Sequence, residues 1–423
     1  MKLALKGNKV IWLQLLLLFV ASCAMVYSSC VSLALRAGNP PIIIVLKHIA
    51  HYLIGFAVLL GCYFIIPMKW WRTLSIPAAI FIAVALVLAK VVGNGRSINI
   101  GFDFQPSEFA KTSTVLFLAW VLENKKLETF KEYAFWVLAP LGVTLLLCLM
   151  GSASATILIA LIAGVILVSA QIKKRFLLYT AGIALAAILA IIGLHYSLKG
   201  LGGDSPFGRI DTVVARMERF FDNRDETTLS PEERAEKKTK EFQQETAQMA
   251  IQLGAFGKAK GPQGPGGSIT REKLPNAFDD YIFCVIVEEW GILGAIAIIL
   301  IYLTLFYQCI LIARRCTQTY STVTVLGLSF MIVLQAMLHI LVNIGAFPVT
   351  GQTLPMISRG GSATLSVSIA LGIILSINRS LDNQDQAKLA ETEVAVTEEV
   401  PDMPPIEIIS NEETSEDNEI REF

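Results

Sequence analysis

The chain has 423 residues, of which 54% are hydrophobic and only 17% are charged, and its formal net charge is zero. An ordinary soluble core cannot bury so much apolar surface, which excludes a soluble globular protein and makes the lipid bilayer its solvent. Apolar runs long enough to cross about 30 Å of hydrocarbon recur along almost the whole chain. The composition therefore predicts an all-α integral membrane protein.

About ten of these runs are predicted to be transmembrane helices. They lie near residues 10–35, 46–66, 72–92, 105–123, 132–150, 152–170, 174–196, 281–314, 321–347 and 355–378. The first run continues past Ser22 into more apolar sequence and is long enough to span the membrane. We therefore interpret it as a helix and not as a cleaved signal peptide.

Lys and Arg are concentrated in the loops that follow the second, fourth, sixth and eighth predicted spans. Short basic loops of this kind are retained on the cytoplasmic side. With ten spans, both termini are then cytoplasmic, and the long connection 197–280 between spans 7 and 8 lies outside. Within this outer loop, a capping box at Ser230 to Glu233 predicts a polar helix from Arg234 to about Gln248.

The sequence divides into two regions of different composition. Residues 1–380 form the predicted ten-span membrane domain. The strongly acidic segment 381–423 has several prolines and almost no aromatic residues, and it is predicted to be a disordered cytoplasmic tail. The cysteines lie within or at the ends of predicted spans at irregular spacing, which indicates neither a disulfide framework nor a zinc site.

Charged residues occur at membrane depth at the start of the fourth span. Lys111 follows Glu108 by three residues, so an acid and a base share one face of the helix. Ionisable residues inside the membrane are costly and tend to be paired or functional, and the sequence leaves a structural role and an active-site role open. Just before this span, Arg96 lies in a glycine-flanked outer loop and is a candidate for binding a phosphate.

Two adjacent carboxylates, Asp279 and Asp280, lie at the mouth of the eighth span. A half-desolvated carboxylate can act as a general base. Adjacent residues point in different directions, so the two are not expected to form an acid/base dyad, and the plain interpretation of Asp279 is a helix cap. Glu288 and Glu289, further into the span, are acids that need partners.

The segment from Asn343 to Ser362 contains two prolines and several glycines between two apolar helices, which predicts a re-entrant or broken outer element. Arg359 lies between Ser358 and the Gly360-Gly361 pair. Backbone donors beside a fixed positive charge suit an anion.

Three of these segments together resemble the FtsW/RodA family of cell-shape and cell-division proteins. The matching stretches run from Gly95 to Asn99 with Gln105 to Lys111, from Leu274 to Phe283, and from Pro348 to Ser362. The resemblance implies a peptidoglycan glycosyltransferase that polymerises lipid II on the outer face of the cytoplasmic membrane, by inverting transfer with release of undecaprenyl diphosphate. The inserted loop near 222–246 and the tail favour the cell-division branch.

The resemblance also implies roles for individual residues. Asp280 corresponds to the family's essential catalytic carboxylate, and Glu108 with Lys111 matches its membrane-embedded pair. The substrate-binding residues implied, which include cations that balance diphosphate charge, are Arg96, Glu108, Lys111, Arg216, Arg219, Ser358, Arg359, Gly360, Gly361 and Ser362. The chain departs from the family's pattern in having Asn276 for glutamate, Phe278-Asp279 for His-Thr, and Arg359 for tyrosine.

The partners implied are lipid II and the growing glycan strand, a monofunctional class B penicillin-binding protein that acts as transpeptidase, other divisome proteins and the membrane, but no nucleic acid. No cofactor is assigned, and a divalent cation (Mg²⁺ or Mn²⁺) could assist the chemistry, although no metal-ligand cluster can be read from the sequence. Two alternatives stay open at this point. The chain could instead be a lipid II flippase, or a non-catalytic scaffold that recruits the transpeptidase.

Overall fold

The computed structural model describes residues 8–36, 40–93, 96–99, 103–200, 211, 214, 231–255, 268–274 and 279–398. The helices in these ranges are α1 (Lys9–Arg36), α2 (Pro41–Phe64), α3 (Met68–Val91), α4 (Pro106–Asn124), α5 (Phe130–Gly151), α6 (Ala153–Ser169), α7 (Lys174–Gly200), α8 (Pro231–Leu253), α9 (Ile269–Lys273), α10 (Ile282–Arg315), α11 (Thr319–Asn343) and α12 (Gly361–Glu398). A π-helical turn at Ala134–Leu138 interrupts α5.

The helical membrane fold predicted from composition is confirmed. Among the described residues, eight helices are long and apolar enough to cross a membrane, namely α1, α2, α3, α5, α7, α10, α11 and α12. Helix α6 is a shorter apolar helix, and α4 carries Glu108, Lys111 and Glu123. The count of ten spans therefore stays a prediction.

Helix α4 lies at the centre of the membrane domain. It packs against α3, α6 and α11, and its residues are buried along almost its whole length. Helix α11 is also buried over most of its surface and packs against α10. A polar group placed on α4 or α11 therefore faces protein and not lipid.

The polar helix predicted in the long loop is present as α8, which extends further at both ends than the capping pattern indicated. It packs on α10, and Ala247 and Ala250 near its C-terminal end are buried. The chain approaches α10 so closely after this helix that a Cβ atom at Gly254 would collide with the Val287 carbonyl oxygen. The outer location of the loop stays a prediction.

A short antiparallel hairpin precedes α4 and was not predicted. Strands β1 (Ile98–Asn99) and β2 (Asp103–Phe104) pair Ile98 with Phe104 and Asn99 with Asp103. Pro106 then begins α4 at a position where the missing amide proton costs nothing. The hairpin fixes the entry of the chain into the central helix.

The prediction of disorder from residue 381 onward differs from the structure in part. Helix α12 continues through Glu398, beyond the end of the membrane domain at Leu381. Ala387, Leu389 and Ala390 are strong helix formers, and extending an existing helix avoids the cost of nucleation. Residues 399–423 lie outside the described residues.

Candidate active site

The segment between α11 and α12 is non-helical, as the prolines and glycines predicted. Three of its residues have left-handed backbone conformations, Gly345 at φ 78°, Gly351 at φ 63° and Met356 at φ 59°. This backbone conformation is strained for a residue with a side chain. Met356 is 4% exposed, so its side chain packs among other residues and holds it in this conformation. The Tyr302 hydroxyl on α10 donates a hydrogen bond to the Pro355 carbonyl. This stretch, residues 344–360, is the re-entrant segment, and it is packed into the helix bundle.

The backbone of the two adjacent aspartates is fixed from two sides. Ser358 Oγ donates to the Asp279 carbonyl at 2.9 Å and accepts from the Leu354 amide at 2.9 Å. Asn343 Nδ2, at the end of α11, donates to the Asp280 carbonyl at 3.0 Å. The re-entrant segment and α11 thus position this turn together.

Little space separates the Asp280 carboxylate from the re-entrant segment. A Cβ atom built on Gly351 would lie 3.9 Å from Asp280 Oδ1. Glycine, which has no Cβ atom, allows both the positive φ at position 351 and this close approach. The carboxylate therefore lies beside the non-helical stretch at Gly351.

The interpretation of Asp279 as a helix cap is wrong. The N-cap residue of α10 is Tyr281, and no side chain caps the helix. Asp279 instead packs inward with Oδ1 fully buried. Burial, reinforced by the negative charge of Asp280 and opposed by Arg359, raises the pKa of the Asp279 carboxyl to about 7. The two aspartates therefore differ in environment, although they are neighbours in sequence.

The predicted pair on α4 is present as a buried ion pair. Lys111 Nζ lies 2.7 Å from Glu108 Oε2, and the two residues are 1% and 5% exposed. Lys111 also donates to Gln335 Oε1 on α11 at 2.6 Å, and Gln335 Nε2 donates to the Thr353 carbonyl at 3.0 Å. The pair is therefore linked through one glutamine to the re-entrant segment.

The start of α12 is tied to the hairpin and to α2. Ser362 Oγ donates to the Asp103 carbonyl at 2.6 Å and accepts from the Gln105 amide at 3.1 Å. A Cβ atom on Gly361 would lie 3.2 Å from the His51 ring, and one on Gly360 would lie 3.3 Å from Thr353 Cγ2. Both glycines allow close packing around Arg359, which is half-buried.

The structure does not bring every predicted residue into this cluster. Arg96 is exposed between α3 and β1, and it makes no hydrogen bond or ion pair with any described residue. Arg216 and Arg219 lie outside the described residues. Within the described ranges, no group of three or more His, Cys, Asp or Glu side chains is placed to bind a metal ion.

Sequence reasoning missed the polar face of α11. Gln335, His339 and Asn343 recur every four residues, so they share one face of an otherwise apolar helix. His339 Nδ1 hydrogen-bonds to the Gln352 carbonyl at 2.7 Å, and the other two contact the site as described above. The polar residues at four-residue spacing in an apolar span could have predicted this face from the sequence.

The acids of α10 have the partners that their depth requires. Glu288 accepts hydrogen bonds from Ser268 Oγ at 2.8 Å and from the Ile269 amide at 2.6 Å, and Glu289 accepts one from Ser28 on α1. These contacts fix α10 against α9 and α1. They leave the two aspartates as the acids at the mouth of the helix.

The structure is a bundle of membrane-spanning helices that encloses the re-entrant segment, the buried ion pair and the turn with the two aspartates. These features define a polytopic membrane protein with a charged internal site. The FtsW/RodA/SpoVE family model, described as cell cycle protein, matches residues 8–383. The chain belongs to this family.

Named relatives align with this chain over most of both sequences. The probable peptidoglycan glycosyltransferase FtsW of Coxiella burnetii is 30% identical over 396 residues, covering 88% of this chain and 94% of its own. The protein of the same name from Hydrogenovibrio crunogenus is 28% identical over 389 residues, covering 87% and 90%.

Solved structures share the fold. A chain from a study of the structural coordination of polymerization and crosslinking by a peptidoglycan synthase complex aligns with a TM-score of 0.62 at 23% identity, covering 86% of this chain and 96% of that chain. The rod shape determining protein RodA of Thermus thermophilus aligns with a TM-score of 0.57 at 20% identity, covering 86% and 95%. These likenesses concern the fold.

Proposed function

We propose that this chain is a peptidoglycan glycosyltransferase that polymerises lipid II during cell division. The observation that carries the proposal is the Asp280 turn, which is fixed by hydrogen bonds from α11 and from the re-entrant segment at the end of a membrane span. The names of the family relatives support the same reaction, and the family's description as a cell cycle protein supports the division role.

In this proposal Asp280 is the general base. The acceptor sugar hydroxyl attacks the anomeric carbon of the donor, its proton passes to the Asp280 carboxylate, and the bond from that carbon to the diphosphate breaks with inversion. Undecaprenyl diphosphate is a good leaving group, so the site needs a base and positive charge more than it needs a strong acid.

Within the cluster, positive charge for the diphosphate comes from Arg359. Arg359 lies beside the glycine pair at the start of α12, where backbone amides and the helix dipole also favour an anion. Lys111 is bonded to Glu108 and Gln335, so its main role is to fix the re-entrant segment through Gln335. Arg96, Arg216 and Arg219 are proposed to contact the diphosphate from the outer loops.

The proposed topology places the reaction outside the cell membrane. Both termini are cytoplasmic, and the Asp280 turn lies on the outer face, where the glycan strand is built. A class B penicillin-binding protein is the proposed partner, because a fold neighbour comes from a complex in which polymerization and crosslinking are coordinated. In this proposed topology the turn lies at a membrane surface, whereas a flippase would be expected to place its charges near the bilayer midplane.

The decisive experiment is polymerisation of purified lipid II by the reconstituted protein and its Asp280→Asn variant. Asparagine keeps the shape of the side chain and removes the base, so we expect a fall of at least about 10²-fold. Asp385→Asn, the same change at an exposed position on α12, is the matched control and should behave like the parent.

Four outcomes separate the alternatives. Loss of glycan strands in folded Asp280→Asn protein supports the enzyme. Polymerisation at the parental rate in that variant refutes the base assignment. A parent protein that moves lipid II across vesicles but makes no strands is a flippase, and one that does neither is a scaffold.

A further inference from the structure

Asp279 has a place in the site that neither capping nor catalysis explains. Its Oδ1 atom is fully buried and has no hydrogen-bond partner within the part of the chain that the structure describes. Its backbone carbonyl accepts a hydrogen bond from Ser358 Oγ, which fixes the backbone of this residue against the re-entrant segment. A buried carboxylate oxygen without a donor is strongly disfavoured in its ionised form.

The charges around Asp279 reinforce this preference. The negative charge of Asp280, in the same turn, disfavours ionisation of Asp279. The positive charge of Arg359, from the re-entrant segment, favours ionisation but has a smaller effect. Helix α11 presents Asn343, which does not titrate, and His339, whose Nδ1 is bonded to a carbonyl of the re-entrant segment. Burial and Asp280 therefore act together, and the pKa of Asp279 is raised to about 7.

We propose that Asp279 keeps its proton in the working enzyme and that its ionisation switches the site off. With Asp279 neutral, the negative charge of Asp280 is balanced by Arg359. With Asp279 ionised, the turn carries a net negative charge at the place where an anionic diphosphate must bind. Asp279 is a positioning residue that acts through Asp280 and Arg359, and the inference rests on the function proposed above.

The first test is the pH profile of lipid II polymerisation from pH 6 to 9 for the parent and for Asp279→Asn, which is neutral at every pH. In the parent, kcat/KM should fall above pH 7 by about tenfold per pH unit, as expected for one group that must stay protonated. The Asn variant should lack this fall, so the ratio of variant to parent should rise about 50-fold between pH 7 and 9. Parallel profiles would overturn the proposal.

A second readout does not depend on turnover. The infrared spectrum of the purified parent should show a protonated-carboxyl band that is lost between pH 6 and 8, and Asp279→Asn should lack it. A band that persists in the variant would overturn the proposal even if polymerisation were never observed. Asp279→Thr, also uncharged, serves both measurements if the Asn variant does not fold.

The two hypotheses fail separately. If Asp280→Asn polymerises normally while the infrared band follows Asp279, the base assignment is wrong and the proton on Asp279 stands. If Asp280→Asn is inactive and the band does not follow Asp279, the function stands and the switch is wrong.

Discussion

Replacing Lys111 with methionine should destabilise the protein more than any surface substitution. The side chain is 1% exposed, and its amine is bonded to Glu108 at 2.7 Å and to Gln335 at 2.6 Å. Removing one member of a buried pair leaves an uncompensated charge, which costs about 3–5 kcal/mol. The Gln335 oxygen also loses its donor, at about 1–3 kcal/mol. Because such terms are not additive, we expect a loss of about 4 kcal/mol or more.

The double variant Glu108→Gln/Lys111→Met tests whether the loss comes from the unpaired charge. The double variant has no charge at positions 108 and 111, and its two side chains have nearly the same volume as those of the parent. Most of the stability lost in Lys111→Met should therefore return. Activity should not return with it, because Gln335 lacks its charged donor and the Thr353 carbonyl of the re-entrant segment is then less well fixed. The measurements are the fraction of protein that stays monodisperse after heating in detergent, and lipid II polymerisation.

Lys126→Met is the matched control, because Lys126 is exposed just after α4 and the change of residue is the same. It should alter the melting temperature very little. The reasoning fails if Lys111→Met is as stable as this control, or if the double variant is no more stable than Lys111→Met alone. Either result would mean that the two charges on α4 are not coupled.

Four further outcomes are expected. Asn343→Leu removes the donor to the Asp280 carbonyl, so steady-state polymerisation should show a lower kcat with little change in KM. Gly351→Ala places a side chain at φ 63°, which should lower stability by about 1–2 kcal/mol in thermal unfolding. Because folding raises the pKa of Asp279 to about 7, the folded protein binds more protons than the unfolded chain between about pH 4 and 7, and the parent loses stability as pH rises through that window. Melting curves at pH 8 should therefore show Asp279→Asn to be more stable than the parent by a few kcal/mol. Truncation after Leu381 should leave polymerisation unchanged in gel assays of the purified protein, since the proposed site lies on the other side of the membrane.

The helices were predictable because hydropathy and length determine them directly. The apolar runs near 72–92 and 321–347 correspond to α3 and α11 within a few residues. The break in the helix between α11 and α12 was also predictable, since prolines and glycines cannot continue a helix at membrane depth. Each of these conclusions needs information from one stretch of chain.

The partners across the bundle were not predictable in the same way. The sequence places Glu108 and Lys111 on one face of a helix, but nothing local shows that Gln335 completes the pair. The cap assigned to Asp279 failed for a related reason, because a local rule was applied to a residue whose environment is set by distant segments. Tertiary burial overrode local propensity.

The position of the proposed base is determined mainly outside its own helix. Asp280 precedes α10, yet its carbonyl is bonded to α11, and the preceding carbonyl is bonded to the re-entrant segment. That segment is in turn bonded through Gln335 to the ion pair on α4. A substitution on α4 or α11 can therefore displace the base without touching substrate, so such variants should lose kcat even where the fold is retained. Selection for activity would then act on buried residues of three helices, which explains why polar groups occupy the centre of an otherwise apolar bundle.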